Sequence, residues 1–128
     1  MKIKQILKNE NEDLHTKIGN ILDECGVRAN LHGYAYLREA IYDESRKPLT
    51  QKKVTEMYAF TAYSFNTTPS RVERAMRHAL EMAWKEQHIN KSQILEENFK
   101  FSKRSNIRPT VSEFIYTVVD KIQTYTNV

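Results

Sequence analysis

An all-α fold, a compact bundle of about six helices containing a helix-turn-helix, is the class this sequence predicts, and three observations carry it. Apolar residues recur at three- and four-residue spacing through long stretches, most clearly Val72 to Trp84 and Val111 to Ile122, which is the stripe a helix buries against its own core. Helix-start chemistry stands directly ahead of both stretches, as Thr68-Pro69 and as Thr110 with Glu113. Three glycines, three prolines, 40% apolar and 28% charged residues describe a helix-rich chain without low-complexity segments or an internal repeat. At 128 residues the chain fits one domain with a real core and is too short for two ordinary ones.

Residues 1–13 read as an N-terminal leader and 14–128 as the domain. In the leader, Ile3, Ile6 and Leu7 give a weak amphipathic pattern that fits either a short extra helix or a frayed tail. From Leu14 the pattern strengthens through Ile18, Ile21 and Leu22, and Gly26 supplies a stop that tolerates a left-handed backbone. A second helix opens near Leu31 to Gly33, carries Tyr34, Leu37, Arg38 and Ile41, and ends in the polar stretch Asp43 to Pro48. A third runs from about Thr50, with Val54, Met57, Tyr58 and Thr61 on one side.

Phe65 to Thr68 then make a short connection into the fourth helix, so the third and fourth have a helix-turn-helix arrangement. Thr68 is a good N-cap, and Pro69 suits the first turn, where it gives up no intrahelical hydrogen bond. After Gln87 the chain turns polar, with one short helix expected near Lys91 to Asn98 and a basic loop beyond it. The final helix starts after Pro109, at the capping-box pair Thr110 and Glu113. Its face of Val111, Phe114, Ile115, Val118, Val119 and Ile122 is wide enough to pack on the domain and to touch a second copy.

Charge and cysteine usage narrow the function classes. The net charge of +4 and pI near 9.2 are compatible with nucleic acid but do not by themselves single it out. The placement says more: Arg46, Lys47, Lys52 and Lys53 flank the start of the third helix. Lys100, Lys103, Arg104 and Arg108 form a run without an acidic residue. Both clusters read either as phosphate-facing patches or as solvated faces. The lone Cys25 cannot form an intramolecular disulfide, and no apolar run is long enough for a membrane span or a secretory signal, so the cytoplasm is the expected compartment. His15, His32, His78 and His88 are scattered without metal-ligand spacing, and there is no Gly-rich phosphate loop. No catalytic residue, cofactor or metal site is expected.

The fourth helix is the candidate functional element because its second face is polar. Glu73, Arg74, Arg77 and His78 fall opposite the apolar stripe. Major-groove recognition needs planar, multi-donor side chains near the front of a helix, since guanine offers two adjacent acceptors that an arginine fork bridges, and Arg74 and Arg77 are such forks. A carboxylate near phosphates is repelled unless it accepts from a cytosine amino group or orients an arginine, so Glu73 favours base reading over generic basicity. Ser70 and Arg71 in the first turn are placed for phosphate contact, where the helix N-terminus itself favours an anion. The competing reading is a solvated face with an intrahelical Glu73–Arg77 pair.

Three blocks bear a family resemblance. GYAYLREAI at Gly33 to Ile41, NTTPSRVERAMRHALEMAW at Asn66 to Trp84 and PTVSEFIYTVVDKI at Pro109 to Ile122 resemble, in order, the second helix, the recognition helix and the last helix of one effector domain. That domain is the C-terminal DNA-binding part of the sporulation initiation master response regulator of endospore-forming Firmicutes, and the resemblance covers roughly Leu14 to Tyr125. It implies that Glu73, Arg74, Arg77 and His78 face DNA bases, that the target is double-stranded DNA with a TGTCGAA-like core, and that copies pair side by side on tandem sites. It also implies contact with RNA polymerase.

Departures from the pattern qualify the resemblance. Full-length members carry a receiver domain whose aspartate is phosphorylated. With about thirteen residues ahead of the first matched helix, the expectation is a stand-alone effector, or an excised domain, without phosphoaspartate control in this chain. Ala59 stands where the family has a proline, and ILEENFKF at Ile94 to Phe101 lacks the family's glycine-tyrosine element near its activation surface, which weakens the polymerase expectation. The leading expectation is a sequence-specific transcription regulator. The alternative is a protein-interaction module that pairs through the last helix with the full-length regulator or with polymerase and does not read DNA.

Overall fold

A computed structural model describes residues 3–48, 51, 53–86, 98–99 and 108–126. Among them six helices are present: α1 (Ile3–Leu7), α2 (Leu14–Glu24), α3 (His32–Ser45), α4 (Val54–Ser64), α5 (Pro69–Lys85) and α6 (Val111–Tyr125). No strand occurs among the described residues, as the periodicity predicts. The short helix expected near Lys91 to Asn98 and the basic loop after it fall almost wholly outside the described residues.

The helix ends follow from local chemistry. Asp13 caps α2 by accepting from the Thr16 amide at 2.8 Å. At its other end Gly26 takes φ 85°, so that Val27 N–H reaches Leu22 O and Gly26 N–H reaches Asp23 O, each at 3.0 Å. That is the Schellman pattern, closed by burial of Val27. The same device ends α4 with Asn66 at φ 54°: Thr67 N–H donates to Ala62 O at 2.9 Å and Asn66 N–H to Tyr63 O at 3.2 Å. Asparagine is among the few residues besides glycine that visit this region readily. It fixes the short turn into α5. At α6 the capping box is complete, with Thr110 Oγ1 accepting from Glu113 N at 3.2 Å and Glu113 Oε1 accepting from Thr110 N at 3.0 Å.

Helix α3 is the hub, packing against α5, α6, α2 and α4. Its Leu37, Ala40 and Ile41 are fully buried and meet the stripes of its neighbours: Ile18, Ile21 and Leu22 from α2, Val72, Met76 and Leu80 from α5, and Phe114, Val118 and Ile122 from α6. Trp84 and Phe114 meet edge to face at 5.9 Å, and Phe99 stacks on Phe114 at 4.8 Å. All six apolar residues expected on α6 are buried, so that face belongs to the core and is not free for a second copy.

Two packing features differ from the pattern-based picture. The leader, which fitted helix or tail equally, forms α1, and its Ile3, Ile6 and Leu7 are buried against α2 and α6. Val54, expected on the inner side of the third helix, is 42% exposed, because the buried face begins a turn later at Met57 and continues through Thr61 and Ala62.

Buried polar groups among the described residues are matched, with one exception, Asp43 Oδ2. Glu44 is 1% exposed, yet its carboxylate accepts from Lys47 Nζ at 2.6 Å and from Tyr116 Oη at 2.7 Å. Burial and that bond to Glu44 push the Tyr116 phenol well above its ordinary range. Gln123 Nε2 donates to Ser45 O at 3.0 Å and Lys47 O at 2.9 Å, so a side chain of α6 satisfies carbonyls left open where α3 ends. Cys25 is buried and its thiol is pushed up by desolvation, which leaves it inert packing.

Candidate nucleic-acid interface

What positions α5 is a close approach to α3. A Cβ built on Gly33 would lie 2.2 Å from the Ala75 carbonyl oxygen and 2.8 Å from the Ala79 Cβ. Glycine therefore lets the two backbones touch at the level of the apolar stripe. The stripe of Val72, Met76, Ala79, Leu80, Ala83 and Trp84 is buried, and the opposite face is left to solvent. The helix begins where sequence placed it: Thr68 is the N-cap, its hydroxyl accepting from Arg71 N at 3.4 Å, and Pro69 is the first helical residue.

Each expected side chain can be located on that face. Ser70 and Arg71 are exposed in the first turn, with Ser70 Oγ 3.5 Å from the Thr68 hydroxyl. Arg74 is exposed and makes no ion pair among the described residues. Arg77 lies one turn on from Glu73 and donates from Nε to both of its carboxylate oxygens, at 3.0 and 3.2 Å. That bond raises the Arg77 guanidinium above its already high range, so it stays charged at any working pH. His78 is exposed on the same face. Lys103 and Arg104 lie outside the described residues, as do Lys52 and Lys100.

The intrahelical pair and the recognition reading turn out to be compatible. An exposed Glu–Arg pair at i, i+4 is worth a few tenths of a kcal/mol, little enough to be exchanged for a base contact. The pair engages the Arg77 Nε. Tyr58 of α4 shares a cleft with this pair, and its phenol is raised by burial and secondarily by the Glu73 charge. Tyr58, Glu73, Arg77 and Trp84 line one side of a cleft of about 540 Å³, and Arg108 to Ser112 at the start of α6 line the other. Sequence reasoning had no signal for this cleft, since its walls are joined only by the packing of α4, α5 and α6.

The C-terminal half of α4 and the turn after it present a second unforeseen feature. Phe60 is 49% exposed, Tyr63 85% and Phe65 39%, with Phe65 edge-on to Tyr36 at 4.9 Å. No group of three His, Cys, Asp or Glu side chains able to hold a metal occurs among the described residues.

A helix capped by Thr-Pro, entered through a tight asparagine turn from the preceding helix and exposing a face with two arginines, defines a helix-turn-helix DNA-binding protein. The packing and boundaries agree with a family assignment. Residues 18–122 match the family model described as Sporulation initiation factor Spo0A C terminal, and the chain belongs to that family. It is thus a DNA-binding effector domain of the kind used in sporulation regulation, a family of DNA-binding domains and not of enzymes. No helix among the described residues is long and apolar enough to cross a membrane.

Proposed function

We propose that this protein is a sequence-specific transcription regulator acting in the cytoplasm, which inserts α5 into the major groove and reads a TGTCGAA-like core. One observation carries the proposal: the face of α5 opposite the core presents Arg74, without an ion pair among the described residues, and Arg77 held by Glu73, one turn apart, on a helix whose depth is set by Gly33. In this reading Arg74 and Arg77 bridge guanine acceptors, Glu73 accepts from cytosine when it releases Arg77, and His78 touches a neighbouring base edge. Ser70 and Arg71 engage phosphates at the helix N-terminus, and Lys103 and Arg104 add sequence-independent attraction. Residues 14–128 form the DNA-binding domain, with 1–13 a leader whose helix braces it.

Pairing of two copies on tandem sites and contact with RNA polymerase extend the same reading; occupancy of a promoter alone suffices for repression. The competing reading, an interaction module that pairs through its last helix and ignores DNA, is disfavoured because the apolar face of α6 is buried. Size-exclusion chromatography beside a DNA-shift assay separates the two. A shift of cored duplex supports the regulator, whereas a protein complex without any shift supports the module.

A further inference from the structure

The cleft between α5 and α6 has the makings of a ligand site independent of DNA. Its volume of about 540 Å³ falls in the range of small-molecule sites. Its floor is apolar, built of Leu80, Trp84, Pro109 and Val111. Its rim is charged, with the cations Arg77, Lys85 and Arg108 facing the carboxylates Glu73 and Glu81. Arg77 is committed to Glu73, and Lys85 follows Glu81 by one turn on the same helix, so by count the described lining holds three cations against two carboxylates. Arg108, on the opposite wall, is exposed, makes no ion pair among the described residues and is the positive charge in excess among the described lining residues. A cavity with an apolar floor and one surplus cation at its mouth suits an apolar, planar molecule carrying a single anionic group.

Two of the rim residues are also residues of the DNA-reading face. Arg77, Glu73 and Arg108 line the same cleft, so an anion bound there would compete with Glu73 for the Arg77 fork, and a rearranged Arg77 would no longer be aimed at a base. We propose that this cleft is an effector site for an apolar organic anion, a carboxylate or sulfonate on an aromatic or alkyl body, and that its occupancy weakens specific DNA binding. The first part stands without DNA; the second rests on the reading of Glu73 and Arg77 as base contacts. The coupling is reciprocal, so cored duplex must weaken the ligand by the same factor, roughly tenfold.

The test uses the full chain and two matched probes, anilinonaphthalene sulfonate and its uncharged counterpart N-phenylnaphthylamine, titrated by fluorescence without DNA. Saturable binding at one probe per chain is expected, with the sulfonate tighter. Arg108→Glu should weaken the sulfonate about fivefold and leave the neutral probe unchanged. Ser112→Trp, which fills the cleft from its half-buried wall position, should abolish both. Circular dichroism and thermal melting check that each variant folds. Equal affinity for the two probes, or sulfonate binding untouched by Ser112→Trp, would overturn the site and assign the probe to the exposed aromatics around Tyr63.

A second arm measures cored-duplex binding with and without sulfonate. Roughly tenfold weakening in the parent chain, absent in Ser112→Trp, supports the coupling. Probe binding that leaves cored-duplex affinity unchanged refutes it. Failure of the parent chain to prefer cored duplex at all is a failure of the DNA reading, and the first arm then still decides the site.

Discussion

Gly33→Ala is a one-carbon change whose cost can be worked from the structure. In a helix, alanine is favoured over glycine by up to about 1 kcal/mol, and less than that in the first turn, where residue 33 lies. Against this, the new Cβ would sit 2.2 Å from the Ala75 carbonyl oxygen, 2.8 Å from its carbonyl carbon and 2.8 Å from the Ala79 Cβ. All three belong to α5 close to its axis, so no side chain can rotate away. Helices α3 and α5 must separate by about an ångström, which opens the interface that holds Val72 and Met76 against Leu37. Overpacking of this kind costs roughly 1–3 kcal/mol, occasionally more, and the rigid opponents put this site at the upper end. The net loss should be about 2 kcal/mol, or roughly 6–10 °C in Tm for a domain of this size.

Urea unfolding with a fixed m value measures it directly. Gly19→Ala is the matched control, since its Cβ would meet the Tyr34 hydroxyl at 3.0 Å and Arg38 Cδ at 4.0 Å, outer atoms of side chains and not backbone. It should fall within about 1 kcal/mol of the parent, with helix propensity offsetting the strain. A Gly33→Ala protein as stable as the parent would refute the claim that close backbone approach sets the seat of α5.

Three further outcomes follow from the same geometry. Thr110→Ala removes the acceptor for Glu113 N and should cost about 1 kcal/mol by urea unfolding, while Thr110→Ser keeps most of it. Lys47→Met leaves the Glu44 carboxylate, 1% exposed, with Tyr116 as its remaining partner; a loss of about 2–3 kcal/mol is expected, partly recovered in the double variant with Glu44→Gln. Asp43 has a buried carboxylate oxygen without a hydrogen bond, and burial, with Glu39 nearby, raises its pKa. A raised acid stabilises the fold only below its unfolded pKa, and that contribution is lost as pH rises through the folded value. Asp43→Asn should therefore gain stability at neutral pH and lose the advantage as pH falls through the carboxylate range, which chemical melts at a series of pH values will reveal.

The elements most legible in the sequence were those whose ends carry their own chemistry. Thr68-Pro69, Thr110 with Glu113, and Gly26 each fixed a boundary through a local hydrogen bond, so the pattern of a few residues was sufficient. The exposed face of α5 was legible for the same reason, since helical periodicity alone separates Arg74 and His78 from Met76 and Leu80.

What escaped depends on residues far apart in the chain. Glu44 reads as a helix-ending polar residue, and only Tyr116, 72 positions later, explains its burial. Gly33 belongs to a matched block, but its closeness to Ala75 is a property of two helices together. The short leader helix has too few residues to be stable alone and is explained by the core it covers. Helix α4 was legible as an element, but it starts at Val54 and not near Thr50, and its apolar residues surround the helix, so periodicity could not say that Val54, Phe60 and Tyr63 would be exposed. The cleft beside Arg77 was invisible for a related reason: Tyr58, Trp84 and Arg108 come from three separate elements.

The claim that α5 reads bases is tested most directly by fluorescence anisotropy of the parent and Arg74→Ala proteins on a TGTCGAA-cored and a scrambled duplex at physiological salt. The parent should prefer the cored duplex, and Arg74→Ala should lose about 1–3 kcal/mol on it while changing little on the scrambled one. Equal affinity of the parent for both duplexes, erased as salt is raised, would contradict base reading and leave only charge attraction.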